Sequence, residues 1–123
     1  MARDEVDLDR VIHGTLFGEA VTYAGVAALL ADGDGQYVAA NEEACRLTGY
    51  TRGSLVEFRA GELAADEPSR RIYDNISRGR KLKGRKTIRR RDGENVTCRY
   101  WAIPTRVAHV PYYLLLLWRA DAA

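Results

Sequence analysis

Two cysteines in 123 residues, Cys45 and Cys98, are too few for a disulfide framework and make no zinc-ligand spacing. Reduced, buried thiols are the expectation. Long apolar runs are also lacking. The longest, VPYYLLLLW at 110–118, falls well short of the roughly 20 residues that cross a bilayer. The N-terminal MARDEVDLDR is acidic and has no apolar stretch, which excludes a signal peptide. A global excess of one charge is missing too: 19 basic residues against 17 acidic ones give a net charge of +2. No Ser/His/Asp order, metal-spaced cluster or cleft-forming carboxylate pair stands out, and Glu42-Glu43 reads as a helix start. These absences describe a non-catalytic, cytoplasmic protein.

What is present is one domain's worth of chain, 46% hydrophobic and 29% charged, long enough to bury a core without staples. Charge is unevenly distributed. Eight of the 19 cations fall in GRKLKGRKTIRRR at 79–91, leaving 11 against all 17 acids elsewhere. Gly79, Gly84, Lys86 and Thr87 nearly spell a phosphate-binding loop, but Arg85 shifts the lysine out of register. The segment also leaves a helix and enters a strand, the reverse of what such a loop needs. Nucleic acid is argued against as a partner, because the segment has no aromatic residue for base stacking. A phosphate- or nucleic-acid-binding module using 79–91 stands as the alternative function.

Leu8, Val11, Ile12, Leu16 and Ala20 recur at helical spacing over 5–22, with Gly14 and Gly18 weakening that helix. GVAALLA (25–31) and QYVAA (36–40) flank DGDG and predict a hairpin. Asn41 is placed to cap a following helix, with Glu42 and Glu43 at its positive end and Gly49 as its left-handed stop. Short helical turns fill 51–65, and Ile72, Tyr73 and Ile76 share one face of a helix over 67–78. Strands follow at 83–91, 95–107 and 110–119, the first two joined at Asp92-Gly93. Strands segregated around a helical insert predict an α+β fold with a largely antiparallel sheet.

This order, with the phrase DGDGQYVAANEEACRLTGY and the later Arg91-Asp92-Gly93 turn, resembles the PAS sensory domain of S-box type found in bacterial signalling proteins. Asp32, Asp34-Gly35, Asn41, Ala44, Leu47 and Gly49-Tyr50 carry the likeness, which spans about 20–119. TRGSLVE departs from the family's usual Glu-Leu continuation, and RADAA replaces its frequent Asp-Ile-Thr ending. The resemblance implies a five-stranded antiparallel sheet with short helices on one face. Residues 1–22 would be a flanking helix, 23–119 the PAS domain and 120–123 a tail.

It also implies a sensory module that binds a small molecule or partner protein and signals through a homodimer. Haem is argued against because the helix over 67–78 has no histidine, His13 and His109 lying elsewhere. Flavin is argued against because AGELAA lacks the cysteine of the light-sensing motif. Alternation and the resemblance together point Ala28, Leu30, Val38, Ala40, Ile88, Cys98, Tyr100 and Ala102 inward, opposite Leu47, Ile72 and Ile76. Those residues line either a ligand cavity or a close-packed core. Lys86 and Arg90 share the inward side with Ile88, so either their stems cover the rim or one cation reaches an anionic ligand. Trp101 faces outward. With Leu8, Val11, Ile12 and Leu16 it makes a dimer interface, or else the helix folds back over it.

Overall fold

In the computed structural model, which describes residues 26–78 and 82–120, the two ends of the described chain pair with each other. Strand β1 (Ala27–Asp32) runs antiparallel to β5 (Val110–Arg119), from Ala27 opposite Leu117 to Asp32 opposite Tyr112. With β2 (Tyr37–Ala40), β3 (Lys83–Arg89) and β4 (Asn95–Val107) they form one five-stranded antiparallel sheet, ordered β2-β1-β5-β4-β3. The expected helix over 5–22, with Leu8, Val11, Ile12, Leu16 and His13, lies outside the described residues.

The central strands β1 and β5 are buried on both faces, which is why they read as unbroken apolar runs and not as alternating ones. Leu115 and Leu117 join Leu29, Ala40, Cys98, Tyr100 and Ala102 on the side where Leu47, Ile72 and Ile76 pack. Leu114 and Leu116 join Ala28, Leu30 and Ala39 in a second cluster on the opposite face. Ala28 and Leu30, expected inward, therefore face away from the helices, and Val38 packs with them. In a strand reading AALLA no polar residue marks the solvent side, so hydropathy leaves its face open by one residue. An irregularity between Leu30 and Ala31, which sets Ala31 opposite Tyr37, also breaks the simple alternation between β1 and β2.

Four short helices lie between β2 and β3: α1 (Glu42–Thr48), α2 (Arg52–Leu55), α3 (Glu67–Arg70) and α4 (Ile72–Ser77). Asn41 caps α1, its Oδ1 accepting from the Ala44 amide at 2.9 Å, and Gly49 ends it at φ 79°. The single helix expected over 67–78 is split at Arg71 into α3 and α4. Asp66 caps α3 by accepting from the Ser69 amide at 2.8 Å, an N-cap three residues ahead of its donor.

Arg90, expected on the helical side, does not enter the core. Its Nε donates to the Leu47 carbonyl at 3.0 Å and its guanidinium pairs with Asp92, so it closes the C-terminal end of α1.

Candidate functional site

The chain between α2 and α3 reinforces part of the sheet's β3 edge. The Arg89 amide donates to the Leu63 carbonyl, the Ala65 amide to the Thr87 carbonyl, and the Thr87 amide to the Ser69 hydroxyl. Because Thr87 directs its backbone away from β4, Arg85 two residues earlier does the same by strand alternation. No protein group covers that part of the edge among the described residues.

Beside it opens a cleft of about 680 Å³, within the size range of small-molecule sites. Ser69, Arg71, Ile72 and Asn75 form one wall; Arg85, Lys86, Thr87 and Tyr100 form the other. The space between the sheet's inner face and the helices is very different. Among the described residues, the space enclosed by Leu29, Tyr37, Thr48, Leu63, Ile88 and Leu117 is about 10 Å³, at the lower bound for holding a single water. Of the two readings left open by the sequence, the inner face shows the close-packed one.

Lys86 borders both spaces. It is half-buried, and its Nζ lies 5.9 Å from the centre of the Tyr100 ring, the outer reach of a cation–π contact. Desolvation pushes its pKa down to about 8, with Cys98 opposing the shift weakly. Two acids, Asp66 and Glu67, also line the cleft, and both are engaged with other groups. Glu67 holds Arg70 at 3.2 Å and Arg71 at 3.1 Å, while the Asp66 carboxylate is kept ionised by the hydrogen bonds it accepts from Ser69. No group of three or more metal-ligating side chains occurs among the described residues.

Of the residues expected to line a pocket, Ile72, Lys86 and Tyr100 reach the cleft. Ala40, Leu47, Ile76, Ile88, Cys98 and Ala102 are core. Ser69, Arg71, Asn75, Arg85 and Thr87 were not expected there, although Asp66 and Ser69 at capping spacing ahead of the helix are a readable sign that Ser69 is fixed.

The outer face of β3–β5 carries a second arrangement. Lys83 lies opposite Trp101, which lies opposite Leu116; Arg85 lies opposite Arg99, which lies opposite Trp118. Trp101 and Trp118 are 39% and 38% exposed. The aromatics absent from 79–91 thus arrive from neighbouring strands, so the absence of aromatics from 79–91 is no argument against base stacking on this face. Only the pairing register reveals this.

A sheet of this order with short helices on one face is an α+β architecture. A family model described as PAS domain matches residues 25–118, and the chain belongs to that family. A PAS domain from the fruit-fly ELK potassium channel superposes with a TM-score of 0.72 at 15% identity, over 94% of this chain and 98% of that one. A PAS domain from a two-component sensor histidine kinase gives 0.69 at 14% identity, over 82% and 90%. The Rhodobacter sphaeroides LOV protein gives 0.67 at 25% identity, over 80% and 62%. No curated protein matches the chain in sequence. As a PAS domain it is a sensory signalling module, as in histidine kinases and light-oxygen-voltage domains. No described helix is long and apolar enough to cross a membrane.

Proposed function

We propose that this chain is a non-catalytic sensor that takes a small molecule in the cleft between α3–α4 and the β3 edge. Residues 23–119 form the sensing unit, residues 1–22 flank it, and residues 120–123 are a tail. Occupancy passes to a partner through a homodimer in which Trp101 and the apolar residues of 1–22 take part. The observation that carries this reading is the contrast, among the described residues, between a cleft of about 680 Å³ and a space of about 10 Å³ enclosed beneath the helices. A bound molecule that bridges α4 and β3 would shift the balance between arrangements of the sheet edge, which is what a sensor requires. Thermal-shift screening of the wild type against Asn75→Trp tests it. Compounds that stabilise the wild type lose their effect in the variant, whose indole fills the cleft. Undiminished stabilisation in Asn75→Trp contradicts the assignment.

A second reading is favoured by the outer face, where two half-exposed indoles sit among Lys83, Arg85 and Arg99. Cations beside stacking surfaces suit single-stranded nucleic acid. A steep loss of oligonucleotide affinity with rising salt would support it, and a flat response would remove it.

A further inference from the structure

We infer that the cleft selects a monocarboxylate with a small apolar body, and that the Lys86 ammonium is its counter-charge. This rests on the reading of the cleft as the sensory site and names the class of molecule the site takes.

The first support is the state of Lys86. Among the described residues its ammonium has no hydrogen bond and no carboxylate partner, while desolvation already disfavours its charge. A lone, crowded cation is costly, and a methionine would fill the same space without that cost. The cost is recovered when an anion enters.

The second support is the charge of the surroundings. From α3 and its cap, Asp66 is committed to Ser69, and Glu67 to Arg70 and Arg71. From α4 the cleft receives neutral Asn75. From β4 come Tyr100, whose hydroxyl pKa is raised by burial, and Cys98, adjacent to Lys86 across the strand pair. From β3 itself comes Arg85. The two acids of the lining are thus committed, and with Arg71 held by Glu67 and Arg85 turned by strand alternation toward the outer face of β3, Lys86 is the one cation of the lining on the inner side of the strand. One uncommitted ammonium matches a monoanion better than a phosphate dianion. Asn75 and Ser69 offer polar edges, while Ile72 and Tyr100 offer an apolar surface for the rest of the molecule.

Benzoate and isobutyrate are suitable probes, with benzamide and inorganic phosphate as controls, followed by amide chemical-shift titration. The carboxylates bind, and benzamide and phosphate bind at least ten-fold more weakly. Lys86→Met loses carboxylate binding and Lys86→Arg keeps it. Between pH 8.5 and 9.5 the benzoate Kd rises about ten-fold in the wild type, as Lys86 loses its proton. It stays level in Lys86→Arg, because arginine does not titrate there. Cys98→Ala, which removes the thiol opposite Lys86 across the strand pair, retains the wild-type profile. Saturating benzoate also raises the titration midpoint of the Lys86 Cε resonance, which a merely structural lysine would not show. Equal binding of benzamide and benzoate, unchanged in Lys86→Met but blocked by Asn75→Trp, overturns the carboxylate inference and leaves the cleft as a neutral-ligand site. Binding of either probe that Asn75→Trp does not block overturns both.

Discussion

Asn41 has more work than a helix cap. Its Oδ1 accepts from the amides of Ala44 and Ala28, both at 2.9 Å, and its Nδ2 donates to the Val26 carbonyl at 2.9 Å. One amide therefore ties the start of α1 to β1. A cap alone predicts a cost of about 1 kcal/mol for alanine and a silent change to aspartate. With the observed partners, Asn41→Ala costs about 2–3 kcal/mol, adding the strand contacts to the cap. Asn41→Asp also destabilises, by about 1–2 kcal/mol, because a carboxylate oxygen replaces the donor facing Val26. Urea denaturation of both variants measures this, and a neutral aspartate variant would reduce Asn41 to a cap. The cap was legible from Asn41-Glu-Glu and Gly49. The strand tether was not, because its partners lie 13 and 15 residues away.

Elements were legible where local chemistry punctuates them and ambiguous where it does not. β4 and β5 occupy 95–107 and 110–119 as the sequence predicts, and the Arg91-Asp92-Gly93 turn precedes β4. The face of β1 was open because both of its sides are apolar. The break at Arg71 was missed because no glycine or proline marks it. The β4–β5 hairpin shows a strained solution: Ala108 and His109 both take positive φ, 51° and 69°. A two-residue hairpin turn prefers Asn-Gly there, since a Cβ is disfavoured in that region. Replacing Ala108-His109 by Asn-Gly should stabilise the fold by about 1 kcal/mol. Thermal unfolding checks it, and a lowered Tm would show that the present residues make compensating contacts. The exchange also removes the side chain of His109 but not its carbonyl, which accepts from Arg106 Nη1 at 3.0 Å.

On the scale of the molecule, sequence periodicity located the sheet and its helical cover, while most of the residues it offered for a pocket pack into the core and Ile72, Lys86 and Tyr100 border the cleft. Residues such as Ala40, Cys98 and Ala102 are small, and small inward residues suggest room. Among the described residues, Leu115 and Leu117 of β5 pack with Leu47, Leu55 and Leu63 and close that room, leaving a space of about 10 Å³. Space appears where the helical segment leaves the β3 edge after Ser69, a three-dimensional divergence that no local pattern encodes. Lys86 was legible as an oddity, a cation on an apolar face, and the fold sets it at the boundary between core and cleft. The account therefore turns on where a small molecule binds. Backbone amide shifts during titration with a compound that stabilises the wild type answer this directly. The account predicts the largest changes at Ser69, Asn75, Arg85 and Thr87, with Leu29, Ala40 and Leu117 nearly still. Large changes centred on Leu29, Ala40 and Leu117, with the β3 edge unmoved, would place the ligand in the core and contradict it.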